Sequence, residues 1–128
     1  MKMIRETKKI LESNIKITST TVRVPVSTAH SESLNIETEK PFEVDQIKNL
    51  MADSPGIVLE DDPEKNIYPL ALNAEGKDAV NVGRISRDFS AENAINMWCV
   101  SDNLRKGAAL NTVQIARALI NRDLVKVK

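Results

Sequence analysis

Ala94-Ile95-Asn96-Met97-Trp98-Cys99-Val100-Ser101 is the stretch of sequence that decides the fold. Its apolar side chains fall on both sides of the strand alternation, which is typical of a strand that is covered on both faces. We therefore expect it at a central position in a sheet. Ser101-Asp102-Asn103 then offers side chains that cap helices, and a long final helix is predicted from Leu104 to about Ile120.

Further strands are predicted from β-branched residues and from alternation of apolar with polar residues. The predicted strands are Ile15 to Val26, Ser31 to Glu39, Ile57 to Leu59 and Val80 to Ser86. Pro25 marks an edge position, a bulge or the end of the first strand. Gly83 indicates a bulge in the last strand or a close approach of another backbone to it.

Apolar residues at helical spacing predict two more helices, one at the start of the chain, from Met3 to Leu11, and one from Phe42 to Asp53. The connection from Asp61 to Pro69 is polar and irregular. Runs of consecutive strands argue against a βαβ arrangement. The predicted fold is α+β, with a mixed, largely antiparallel sheet and helices packed on one face, and residues 1–128 form a single domain.

The composition restricts the classes of partner. The chain of 128 residues carries 18 Lys and Arg against 18 Asp and Glu, so nucleic acid and anionic membranes are not expected partners. It has no apolar run of about 18 residues that could span a membrane, and its start lacks the apolar block of a secretory signal. A single cysteine forms no internal disulfide, which fits a cytoplasmic location.

His30 is the only histidine, and it lies between two predicted strands, near a loop. An imidazole there can act as a general acid or base near neutral pH. Arg23, seven residues earlier, carries a guanidinium that suits bidentate binding of a carboxylate. The alternative is a surface histidine and a strand-edge arginine in a salt bridge.

Cys99 and the pair Asp61-Asp62 are the other candidates for chemistry. Cys99 lies in the apolar central strand, where a thiol is inert because burial raises its pKa, so we do not expect a nucleophile there. Asp61-Asp62 has too few oxygen ligands nearby for a metal and is interpreted as a solvated acidic turn. No metal site is predicted.

The stretch from Asp102 to Ala109 places Arg105 and Lys106 at the start of the predicted final helix, where cations oppose the helix dipole. A helix N-terminus with small residues beside it can bind an anion. The alternative is a tight junction between helix and sheet.

Five segments of the chain are considered together: Arg23-Val24-Pro25-Val26, His30-Ser31-Glu32-Ser33, the connection from Asp61-Asp62-Pro63 to Tyr68-Pro69, Val82-Gly83-Arg84-Ile85 and the segment from Ser101 to Ala116. In this order they resemble the aspartate-semialdehyde dehydrogenase family, and the resemblance runs from Lys2 to about Ile120.

The resemblance implies the C-terminal domain of a two-domain enzyme similar to glyceraldehyde-3-phosphate dehydrogenase. That domain completes the substrate site and forms the dimer interface, so a homodimer or a higher oligomer is expected. The family's N-terminal NADP-binding domain, with its nucleophilic cysteine, is absent from these residues. The implied reaction is reductive dephosphorylation of L-aspartyl 4-phosphate to the 4-semialdehyde with NADPH, in lysine, threonine and methionine biosynthesis.

By the same resemblance, His30 is the general acid and base, Arg23 binds the substrate carboxylate and Lys2 contacts phosphate. Asn103 contacts the nicotinamide cofactor. Ala29 departs from the family, which usually has Gly before the histidine, and the aim of His30 depends on that position. The 128 residues alone are expected to be inactive. The alternatives are a non-catalytic dimerisation module from a truncated or split gene, and an unrelated small α+β binding domain.

Overall fold

The computed structural model describes residues 2–125, which form one four-stranded sheet and four helices. The element bounds follow the chain as α1 Lys2–Leu11, β1 His30–Glu37, α2 Val44–Asp53, β2 Ile57–Leu59, a 3₁₀ turn Pro63–Lys65, α3 Ala71–Ala74, β3 Val80–Asp88, β4 Ala94–Ser101 and α4 Leu110–Asn121. None of the helices described between residues 2 and 125 is long and apolar enough to cross a membrane.

The sheet has the strand order β1-β4-β3-β2. β4 is antiparallel to both of its neighbours, β1 and β3, whereas β2 runs parallel to β3. The sheet is therefore mixed and largely antiparallel, as predicted. β4 is an internal strand, which confirms the position expected from apolar side chains on both of its faces.

The two faces of the sheet are covered by different elements. On one face, Val82, Ile85, Ile95 and Met97 form the main core, and α2 packs against it. On the other face, the buried Ala74 of α3 packs against Val100. The expectation of helices on one face is met by α2, whereas α3, a single turn that the sequence pattern did not predict, adds a contact on the opposite face.

Gly83 lies where another part of the chain approaches β3 closely. A Cβ atom at this position would lie 2.0 Å from the backbone oxygen of Glu60 and 2.7 Å from Cδ of the buried Pro69. The pairing register between β3 and β4 shifts between Gly83 and Ser86. Both features that the glycine predicted, a bulge and a close approach, are therefore present.

The predicted strand from Ile15 to Val26 is wrong. Residues 12–29 form no strand or helix, and the valines of this stretch are exposed, Val22 by 76%. β-Branched residues favour a pleated surface, but a strand also needs a partner to accept its backbone hydrogen bonds. In the described sheet β1 pairs only with β4, and the stretch before it stays outside the sheet.

The predicted start of the last helix, at Leu104, is also wrong. The backbone leaves the helical conformation at Lys106, and Gly107 takes a positive φ of 82°. α4 begins only at Leu110 and ends at Asn121. Glycine is unfavourable inside a helix and adopts positive φ without steric cost, so the residue that interrupts the helix is the one least suited to it.

Candidate functional site

His30 is the first residue of β1 and pairs in register with Ser101, the last residue of β4. Its side chain is exposed. The preceding Ala29 is buried and has a φ of 82°, and its N–H donates a 2.8 Å hydrogen bond to Oδ1 of Asn103. The start of the strand that carries the imidazole is thus held by β4 and by Asn103, which follows β4 in the chain.

The methyl group of Ala29 has a defined place in this arrangement. The backbone has the left-handed conformation that glycine, the usual family residue, adopts at little cost. The methyl group packs with Ala74 and Val100 in the smaller buried cluster. Alanine is thus accommodated directly before His30 by a small space between α3 and the sheet.

Asp102 holds the turn that presents Asn103. Its side chain is buried and accepts hydrogen bonds of 2.8 Å from the backbone N–H groups of Gly76 and Leu104. These bonds, led by the one from Gly76, hold the pKa of the Asp102 carboxyl below its usual value because they favour the charged form. The carboxylate therefore joins the end of β4 to the segment after α3.

Lys2 and Arg23 are not bonded to His30 or Asn103. Both are exposed, and Lys2 forms an ion pair with Glu6 of the same helix at 3.8 Å. Among the hydrogen bonds and ion pairs of residues 2–125, none joins either cation to His30 or Asn103. The structure places Asn103 beside the residue that precedes His30, and the roles of His30, Asn103, Arg23 and Lys2 all stay predictions.

Arg105 and Lys106 are engaged with other side chains. Arg105 forms an ion pair with Asp78, and the Lys106 ammonium donates a 2.9 Å hydrogen bond to Gln114. The helix expected to begin at Leu104 starts at Leu110 instead. The anion-site interpretation of this stretch therefore loses the helix N-terminus on which it depended.

Cys99 and Asp61 both serve the fold. Burial raises the pKa of the Cys99 thiol, and the charge of Glu32, opposite it on β1, raises that pKa further, in keeping with the predicted inert cysteine. The prediction of a solvated turn is wrong for Asp61, whose side chain is 2% exposed, because the carboxylate pairs with Lys48 at 2.9 Å and accepts the backbone N–H of Arg84. Residues 2–125 contain no cluster of three potential metal ligands.

A groove of about 450 Å³ lies on the sheet face that carries Trp98. The Trp98 indole donates a 3.2 Å hydrogen bond to the Pro69 carbonyl, and the Arg84 guanidinium lies 5.8 Å from the centre of the Tyr68 ring. Sequence reasoning did not single out the residues that line this groove. The available signal was the pair of aromatic residues, one in the irregular connection and one in the central strand, in a chain that is only 3% aromatic.

Residues 1–106 match a family model described as the dimerisation domain of semialdehyde dehydrogenase. The chain belongs to the semialdehyde dehydrogenase family. Curated relatives named aspartate-semialdehyde dehydrogenase include one from Aquifex aeolicus, 46% identical over 125 residues, and one from Bacillus subtilis, 48% identical over 127 residues. These alignments cover 97% and 98% of this chain and 37% of each relative, so the chain spans little more than a third of their length.

Solved structures of the family agree with this fold. Aspartate semialdehyde dehydrogenase II from Vibrio cholerae, complexed with ASA, superposes with a TM-score of 0.85 at 41% identity and covers 94% of this chain. A probable aspartate-semialdehyde dehydrogenase from Pseudomonas aeruginosa gives a TM-score of 0.66 at 32% identity over 75% of this chain. The matched part is 35% of the first structure and 28% of the second. The resemblance found in the sequence is confirmed.

Proposed function

We propose that this chain is the C-terminal dimerisation and substrate-binding domain of an NADP-dependent aspartate-semialdehyde dehydrogenase. The enzyme would carry out reductive dephosphorylation of L-aspartyl 4-phosphate to L-aspartate 4-semialdehyde, in the cytoplasm, for lysine, threonine and methionine biosynthesis. The observation that carries the proposal is the exposed imidazole of His30 on a fixed strand start beside Asn103, in a chain of this family.

The chemistry assigned to these residues comes from the family resemblance, and the exposure of their side chains supports it. His30 is exposed at a rigid strand end, where an imidazole can take a proton from a thiol and return it to a tetrahedral intermediate. Arg23 and Lys2 are exposed cations, and their guanidinium and ammonium groups can hold the substrate carboxylate and phosphate.

Asn103 fits a role beside the cofactor. Its Oδ1 is occupied by the Ala29 N–H, so its Nδ2 group remains to donate to a carboxamide oxygen. Bound NADPH supplies the hydride, and Asn103 would orient the nicotinamide amide.

We propose further that the 128 residues alone do not catalyse the reaction. Acyl transfer through a thioester needs a thiolate beside the general base. The only cysteine of the chain is Cys99, and burial raises its pKa. The nucleophile therefore has to come from the remaining part of the protein.

The test is an assay of aspartate semialdehyde, phosphate and NADP with the full-length protein and with the 128-residue chain. We expect the NADPH absorbance band to rise only with the full-length protein. Loss of this activity when Cys99 is replaced would contradict the proposal, and so would turnover by the chain alone. The DNA upstream of Met1 distinguishes the enzyme from the alternative of a non-catalytic dimerisation module. An in-frame extension into a domain with an Asn-Cys segment supports the enzyme. A stop codon followed by a separate ribosome site supports the dimerisation module.

We also propose that the domain forms a homodimer through the sheet face that carries Trp98. α2 covers the opposite face, whereas α3 contributes a single turn here and leaves the groove beside Trp98 open. An apolar groove on an antiparallel sheet is expected to be covered by a second surface. The description of the matching family model as a dimerisation domain favours a second copy of the chain.

Sedimentation of the chain at micromolar concentration tests this proposal. Leu70 lines the groove and is 44% exposed, so Leu70→Glu places a charge in the interface without disturbing the core. We expect the wild-type chain to sediment as a dimer and Leu70→Glu to weaken the dimer at least tenfold. Phe89→Glu, at a 92% exposed position in the turn after β3, is the matched control and should remain dimeric. A monomeric wild-type chain, or a fully dimeric Leu70→Glu variant, would contradict the proposed interface.

A further inference from the structure

Asn103 and Ala29 are joined by a hydrogen bond that spans 74 positions of the chain. The bond is partly buried and 2.8 Å long, from the Ala29 N–H to the Asn103 side-chain oxygen. Ala29 directly precedes His30, and Ala29 and Asn103 flank the first registered pair of β1 and β4, His30 with Ser101. The bond therefore links the two chain segments at the end of the β1–β4 pair where His30 lies.

The backbone at this point needs an external constraint. Ala29 has a φ of 82°. This left-handed conformation is unfavourable for alanine because the alanine Cβ approaches the following carbonyl group. A strained residue keeps such a conformation only when its surroundings hold it. Two contacts do so here: the buried packing of its methyl group with Ala74 and Val100, and the bond to Asn103.

The imidazole of His30 makes no hydrogen bond to another side chain or to the backbone within residues 2–125. The backbone therefore sets where the side chain starts, by fixing the direction of its Cα–Cβ bond. Asn103 is itself held, because the neighbouring Asp102 is buried and bonded to Gly76 and Leu104. A chain of constraints thus runs from Asp102 through Asn103 and Ala29 to His30.

We propose that Asn103 is a positioning residue for His30, acting through the N–H of Ala29, in addition to any contact that its Nδ2 group makes with a ligand. The catalytic consequence of this placement rests on the proposed function. The placement itself does not. An N–H donor can be satisfied only by the amide oxygen, so the same bond turns Nδ2 away from Ala29. One side chain then serves two purposes through two different atoms.

Two substitutions separate the atoms. Asn103→Ala removes both, whereas Asn103→Asp keeps an oxygen acceptor for Ala29 and loses the Nδ2 donor. Asn73→Ala is the matched control, since Asn73 is exposed on α3 and its side chain forms no hydrogen bond within residues 2–125. His30 is the only histidine, so its imidazole protons give a single set of resonances in the chain.

The first experiment measures amide hydrogen exchange at Ala29 and the His30 imidazole resonances in the 128-residue chain. Loss of the bond in Asn103→Ala should speed Ala29 exchange by about tenfold and move the His30 resonances. Asn103→Asp should restore both toward wild type, and Asn73→Ala should leave both unchanged. Unchanged Ala29 exchange in Asn103→Ala, or an Asn103→Asp variant that behaves like Asn103→Ala, would overturn the positioning role.

The second experiment measures kcat and KM in the full-length protein. Misplacement of a catalytic group by about 1 Å can lower a rate about 100-fold, so Asn103→Ala should lower kcat by about tenfold to 100-fold. Asn103→Asp should recover most of kcat at saturating cofactor. Its KM for the cofactor should remain above the wild-type KM, because the Nδ2 donor is still missing. A wild-type kcat in Asn103→Ala would overturn the catalytic part of the proposal. An inactive wild-type protein with the expected exchange results would instead refute the proposed function and leave the positioning supported.

Discussion

Gly83→Ala tests the close approach of Glu60 and Pro69 to Gly83 in β3. The new Cβ would lie 2.0 Å from the Glu60 oxygen and 2.7 Å from Pro69 Cδ, whereas ordinary contacts begin at 3.4 Å. The Glu60 backbone would have to retreat by roughly 1 Å or more, since carbon contacts are comfortable only near 3.5–4.0 Å. The 2.8 Å hydrogen bond from the Glu60 N–H to the Val82 carbonyl would break or lengthen.

The magnitude follows from two contributions. Overpacking of a closely packed site costs about 1–3 kcal/mol, and loss of one backbone hydrogen bond costs about 1 kcal/mol. We expect the free energy of unfolding to fall by about 2–4 kcal/mol, a large share of a typical total of about 5–15 kcal/mol. The corresponding fall in Tm is about 5 °C or more.

Urea unfolding of the variant, followed by fluorescence of the single tryptophan, measures this loss. Trp98 also reports the local change, because its indole donates to the carbonyl of Pro69 beside the new methyl group. Gly56→Ala is the control: its Cβ meets open space, and only the positive φ of 80° opposes it, which costs about 1–2 kcal/mol. A Gly83→Ala loss below about 1 kcal/mol, or one equal to that of Gly56→Ala, would refute the steric reasoning.

Three further predictions concern the side chains that support the site. Asp61→Ala leaves Lys48 and two backbone N–H groups of the β3 bulge without their acceptor, and we expect the free energy of unfolding, measured in urea, to fall by about 3 kcal/mol; Asp61→Asn, which keeps one acceptor, should lose less. The pKa of the Asp102 carboxyl is lowered, mainly by the hydrogen bond from the Gly76 N–H. The carboxylate therefore contributes stability above its unfolded pKa of about 3.9, and this contribution is lost as the pH falls through the folded pKa. Wild type should therefore exceed Asp102→Asn in stability at about pH 6, the difference should shrink below about pH 3, and a constant difference across urea titrations at both values would contradict the linkage. Because burial raises the pKa of Cys99, alkylation by iodoacetamide near neutral pH should be at least about tenfold slower in the folded chain than in urea, and equal rates would contradict the inert thiol.

The features that the sequence predicted well are those set by local side-chain chemistry. β4 was placed inside the sheet because apolar residues occupy both of its faces, and β2 was predicted with its observed bounds, Ile57–Leu59. Gly83 indicated a close approach because no other residue type leaves that space. In each case the residues themselves restrict what can lie against them.

Some of the features that the sequence did not predict depend on a distant partner. Ile15 to Val26 has strand composition but no partner strand in the described sheet. The hydrogen bond between Ala29 and Asn103 joins residues 74 positions apart, and neither residue type indicates the other. The family resemblance placed His30 and Asn103 at one site, but only the structure gives the bond from the Ala29 N–H, directly before His30, to the Asn103 side chain.

The most direct measurement of the central claim is the rate of phosphate-dependent NADPH formation from aspartate semialdehyde by the full-length protein, compared with its His30→Asn variant. Asparagine preserves much of the size of the side chain and removes the imidazole to which we assign proton transfer. The account predicts that kcat falls by about 100-fold or more while KM changes little, since general acid–base catalysis contributes about 10²–10⁴-fold. A variant with the wild-type kcat would contradict the assignment of His30, and with it the site described around β1 and β4.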